Sequence, residues 1–104
     1  MQTFIFIYRN PARYAPTPET SAGMKAWFAG MGEQLAGLGK PVVASDTVGN
    51  WSPDTTELNG YSIVQAENLA GAHAIATECP HLTRNGGIEV GQLGEVPAAG
   101  RLPA

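Results

Sequence analysis

The sequence predicts an α+β domain in the order β-α-β-β-α-β, and three observations carry that prediction. Residues 3–8 (TFIFIY) are β-branched and aromatic without interruption and end at Arg9-Asn10-Pro11. A helical stripe follows from Pro18, with Met24, Trp27, Phe28, Met31, Leu35 and Leu38 at steps of 3, 1, 3, 4 and 3. Residues 60–90 then form a second strand–helix–strand unit, closed by a Cys-Pro-His-Leu break and a Gly-Gly turn.

The first strand is apolar on both faces: Phe4, Phe6 and Tyr8 on one, Ile5 and Ile7 on the other. A strand of that kind needs cover on both sides of its sheet. Residues 10–17 hold two prolines and no period, so they read as a loop. Thr17-Pro18-Glu19 supplies an N-cap, a first helical residue and an acidic first turn. The helix is expected to run until Gly39 and Pro41 end it, with its stripe in the core. Val42-Val43-Ala44 reads as a short second strand, and residues 45–59 as a long polar loop around Trp51. The third strand is residues 61–66. Asn68 caps a second helix with Leu69, Ala72, Ile75, Ala76 and Cys79 inward, and Pro80 stops it. The fourth strand is residues 87–93. Residues 1–94 form one domain, and the Gly/Pro-rich residues 95–104 an extended or disordered tail.

This order is the split βαβ, ferredoxin-like arrangement, with an antiparallel four-stranded sheet and both helices on one face. The other face is too apolar for a lone soluble chain, so a homodimer through the open sheet face is expected. At 104 residues the chain is one domain, and the small size makes a partner subunit helpful. A net charge of −3 leaves no basic footprint for nucleic acid. One cysteine, Cys79, excludes an internal disulfide and fits a reducing compartment. The N-terminus lacks a basic n-region, and no stretch approaches a bilayer span. A cytoplasmic protein with no membrane partner is the expectation.

The ordered set FIFIY, Pro18-Glu19, Gly60-Tyr61-Ser62-Ile63-Val64 with Ala66, Cys79-Pro80-His81-Leu82 and Gly87-Ile88-Glu89-Val90 resembles the YCII-related family. These are small bacterial proteins, some carrying a DGPF motif, and the likeness covers all but about the last ten residues. The resemblance implies a dimeric α/β barrel and a cleft holding a histidine; the family is described as enzymes or small-molecule binders. Two departures weaken any cation-dependent mechanism. Ser52-Pro53-Asp54-Thr55-Thr56-Glu57 replaces the acidic-glycine-proline-phenylalanine segment with its following lysine, and Glu89-Val90-Gly91-Gln92 lacks the arginine of Glu-Val-Arg-Pro.

His81 has two readings. It is a helix-exit residue bonding free carbonyls, or a proton carrier in a cleft whose pKa the helix dipole raises. Glu89, mid-strand, is solvated or paired with His81 or Arg84. Asp54 and Glu57 are loop carboxylates able to assist an acid/base step, and Trp51 closes the loop over a ligand or packs it internally. Tyr8, Arg9 and Arg13 at the first strand's exit offer a site for an anion, or a plain surface. The candidate catalytic set is His81, Glu89 and Asp54, and the candidate ligand set Tyr8, Arg9 and Trp51. His73, Glu78, Cys79 and His81 match no closed zinc pattern, so neither metal nor cofactor is expected. Cys79 reads as an inert buried thiol, and Gly86-Gly87 as a turn. The functional expectation is a small-molecule binder or minor acid/base enzyme acting through His81; the alternative is a non-catalytic dimeric interaction or regulatory module.

Overall fold

The computed structural model describes residues 1–12, 14–52 and 56–95. Strand β1 (Gln2–Pro11) leads into helix α1 (Pro18–Met31) and a 3-10 turn (Gly32–Gln34). Strands β2 (Leu35–Pro41) and β3 (Thr56–Ala66) follow, then helix α2 (Leu69–Ala76), a 3-10 turn (Pro80–Arg84) and strand β4 (Gly87–Gln92). The sheet order is β2-β3-β1-β4, and every neighbouring pair is antiparallel. This is an α+β fold with an open four-stranded sheet, compatible with a ferredoxin-like arrangement.

The alternation in β1 sorts its side chains. Phe4, Phe6 and Tyr8 are buried under the helices with Met31, Val64, Ala72, Ala76 and Cys79, while Ile5 and Ile7 lie half-buried on the opposite face. Trp27 ties the layers together. Its ring stacks on Phe6 at 6.1 Å and its Nε1 donates to the Ile75 carbonyl at 3.2 Å, joining α1 to α2. The expected caps form: Thr17 and Thr20 make a reciprocal capping box, and the Asn68 side chain accepts from Gly71 N.

The first helix is shorter than its spacing predicts. It ends at Met31, where Gly32 adopts φ +56°, and Leu35 pairs with Val64 as a strand residue. Leu35 and Leu38 fall on the helical spacing, but pairing with β3 overrides it. The second strand is therefore residues 35–41. Val42-Val43-Ala44 is irregular, although Val42 N still donates to Asn59 O, and Val43 is almost fully exposed. Strand β3 begins at Thr56, earlier in the chain than the expected Tyr61. Leu69 is exposed rather than inward, and Cys79 lies beyond the end of α2 yet is buried. The expected tail falls largely outside the described residues. Among the described residues no helix is long and apolar enough to cross a membrane.

Two local features shape the region around Tyr8. Gly39 has φ +76°, and a Cβ there would lie 1.7 Å from the Tyr61 carbonyl oxygen, so β2 presses on β3 at a point only glycine fits. The β1–β3 register slips between Tyr8 and Arg9, so that Tyr8 faces Gly60, Arg9 faces Leu58 and Asn59 is left over in the bulge.

Candidate functional site

Period-2 alternation carries Asn10 to the same inner face as Phe4, Phe6 and Tyr8, and it is fully buried. An amide there needs partners. Its Nδ2 donates to Asn59 Oδ1 at 2.8 Å, which the bulge turns toward it, and to His81 Nδ1 at 2.7 Å. His81 sits on the 3-10 turn Pro80–Arg84, which Asn85 closes in the left-handed region at φ +64° with Gly86 N donating to the His81 carbonyl. Gly86 is required there. A Cβ would lie 2.5 Å from Asn10 Oδ1 and 2.8 Å from His81 O.

This geometry suits a neutral imidazole. An amide N–H donating to Nδ1 needs a lone pair there, which a neutral ring carrying its proton on Nε2 provides. Burial lowers the His81 pKa below 6.5, opposite to the expected dipole effect. The reason is local: α2 ends at Ala76, and His81 stands on a separate turn at 9% exposure.

Two tyrosines pack on His81, with Tyr14 at 5.4 Å and Tyr8 at 6.1 Å between ring centroids. The hydroxyls of both, and Asn10 Oδ1, are buried without a hydrogen-bond partner among the described residues. Burial pushes the Tyr8 phenol up to about 12, partly opposed by the Ser62 hydroxyl, so it stays protonated near neutral pH. Ser62 itself donates to the Leu38 carbonyl at 2.7 Å.

Tyr8 forms the floor of a cleft of about 270 Å³ between α1 and the β2–β3 side of the sheet. Met24, Phe28, Leu38, Gly39, Lys40, Pro41, Gly60, Tyr61 and Ser62 complete a lining that is almost wholly apolar. A second cleft of about 440 Å³ adjoins it, sharing Met24, Phe28 and Leu38 and bounded by Tyr14, Pro16, Thr20, Ser21 and Lys25. His81 lines neither; it stands behind the two tyrosine rings.

The remaining sequence candidates lie elsewhere. Glu89 is exposed on the other face, opposite Ile7, and does not meet His81, whose Nδ1 partner is Asn10. Arg84 lies over the Tyr14 ring at 6.0 Å. Arg9 and Trp51 do come together, the guanidinium 5.6 Å from the indole, beside a cavity of about 240 Å³ that also involves Asp46 and Glu57. They are separated from Tyr8 because consecutive strand residues point to opposite faces. Asp54 and Arg13 lie outside the described residues. Cys79 is buried beside Met24 (Sγ to Sδ 3.8 Å), and burial pushes its thiol up to about 11, partly opposed by the His81 backbone N–H.

Sequence reasoning missed Asn10, Asn59 and Tyr14. Asn10 carried a readable signal, a polar residue continuing the buried register 4, 6, 8; the other two carried none. Comparison of the chain with protein-family models, curated proteins and solved structures gives no match in any of the three.

Proposed function

We propose that this protein binds a small molecule in the cleft floored by Tyr8, with His81 and Asn10 supporting the tyrosines from behind. The observation that carries this reading is the almost wholly apolar cleft of about 270 Å³ between α1 and the β2–β3 side of the sheet. Tyr8, Met24, Phe28 and Leu38 contribute to its lining, and the Tyr8 hydroxyl itself is buried. Apolar clefts with a few polar groups are the usual form of small-molecule sites. Acid/base turnover through His81 has less support. His81 lines neither cleft, and burial pushes the Tyr8 phenol up to about 12, far from neutral pH. The test is a two-dimensional amide NMR titration with 1-anilinonaphthalene-8-sulfonate. Shifts centred on Gly39, Gly60 and Ser62 are expected; shifts confined to the opposite sheet face would reject the cleft.

The assembly we propose is a homodimer joined through the open sheet face, the form that the YCII-related resemblance implies. Ile5 opposes Ile63 and Ile7 opposes Tyr61 on the face away from the helices, and a second copy would remove this apolar surface from water. Light scattering of the wild type and of Ile63→Lys tests it. A two-chain mass that falls to one chain in the variant is expected, and a one-chain wild-type mass at micromolar concentration rejects the dimer.

A further inference from the structure

We propose that the ligand is an amphipathic carboxylate, with an apolar tail of about eight carbons in the Tyr8 cleft and its anionic head beside Lys25 and Ser21 in the adjoining one. This rests on the binding reading above and goes beyond it by naming a chemical class and an orientation.

Charge is the first observation. The chain has 9 Asp and Glu residues against 6 Lys and Arg, yet its only lysines, Lys25 and Lys40, both line this pair of clefts. Among the described residues, neither cleft has an Asp or Glu in its lining. In an acidic protein that separation leaves a positive rim on an apolar groove, which favours an anionic head over a cationic one. The second observation is the face that α1 presents. Ser21, Met24, Lys25 and Phe28 follow at steps of 3, 1 and 3, so a hydroxyl and an ammonium share one face with two apolar side chains. Both Ser21 and Lys25 donate hydrogen bonds, as a carboxylate requires, and both are exposed, so the head keeps part of its water. The third is an apolar path between the clefts. Met24, Phe28 and Leu38 line both, and Leu38 is left 60% exposed on the edge strand β2. A tail laid along these residues would withdraw Leu38 from water. A cavity of about 150 Å³ accommodates benzene, so the Tyr8 cleft, at about 270 Å³, has room for about eight carbons. Lys40 lines the Tyr8 cleft and not the second, so its methylene stem covers the tail while its ammonium stays in water.

The experiment compares octanoate, 1-octanol and octylammonium, three probes with one tail and different heads, by NMR titration at the Met24, Phe28, Gly39 and Gly60 amides at pH 7. The wild type is expected to bind octanoate about fivefold more tightly than 1-octanol, the upper end for one exposed ion pair. Octylammonium is expected to bind weakest. Lys25→Met keeps an apolar stem and removes the charge, and it is expected to bring the octanoate and octanol affinities together. Lys40→Met is expected to keep their ratio. Retention of cooperative thermal unfolding checks that both variants fold. Equal affinities for octanoate and 1-octanol in the wild type, or tightest binding of octylammonium, would overturn the anionic class while leaving the cleft as a binding site. A preference for octanoate that survives Lys25→Met, or that is lost in Lys40→Met, would overturn the placement of the head. Absence of shifts at these amides with all three probes would reject the binding reading as well.

Discussion

Asn10 and His81 stand 71 residues apart in the chain and share a buried hydrogen bond of 2.7 Å between Nδ2 and Nδ1. The contact joins the central strand to the 3-10 turn after α2, and Asn59 extends it into the β3 bulge. One amide thus ties together three segments distant in sequence, and its removal leaves two polar groups without their partner. Asn10→Ala is expected to lower stability by about 2–3 kcal/mol, read as a lower urea midpoint at an unchanged slope.

The neutral imidazole makes stability depend on pH. The folded-state pKa lies below the unfolded value of 6.5, so the unfolded chain binds more protons in the interval between them. The stabilisation is therefore complete above about 6.5 and declines as pH falls from there toward the folded value. Urea unfolding at pH 7.5 and 5.5 measures this decline. In His81→Asn, whose Oδ1 can accept from Asn10 Nδ2 without titrating, the part due to His81 is expected to vanish. A decline of equal size in both proteins would assign the effect to other groups.

Gly86 and Gly39 are expected to resist substitution for different reasons. At Gly86 a methyl group meets Asn10 Oδ1 and two backbone carbonyls, so Gly86→Ala is expected to cost about 1–3 kcal/mol and to shift the Asn10 side-chain amide resonances. Gly39→Ala adds a left-handed backbone to a collision with the Tyr61 carbonyl, and its cost is expected to be the larger of the two. Paired thermal unfolding curves rank them.

Cys79 is expected to behave as an inert thiol. It is 2% exposed and its pKa is pushed up to about 11, so little thiolate is present at neutral pH. Reaction with a disulfide reagent such as DTNB is expected to be at least about a hundredfold slower in the native protein than in urea. Similar rates in the two conditions would show that the region around Pro80 opens readily.

Much of the fold is legible in the sequence because its signals are local. The alternation of residues 3–8 and the Thr17 and Asn68 caps each depend on neighbours within a few residues, and each has its structural counterpart; Pro80, expected to stop α2, instead opens the 3-10 turn after a helix that already ends at Ala76. The limit of α1 is not legible this way. Leu35 and Leu38 continue a helical spacing, and only pairing of Leu35 with Val64 assigns them to β2. The site is less legible still. His81 is nominated by its place after the helix, but the carboxylates chosen to assist it lie on another face or outside the described residues, and its actual neighbours are Asn10, Tyr8 and Tyr14.

Taken alone, the sequence determines the order of the elements and the inner face of the central strand, because period and capping are properties of short stretches of chain. Tertiary structure decides where β2 begins, which residue completes the environment of His81, and that Tyr8 and Arg9 serve opposite faces of the sheet region around the bulge. Those outcomes depend on strand register and on a side-chain bond spanning 71 residues. Such distant pairings leave no period in the chain, and they become definite only when the sheet closes around them.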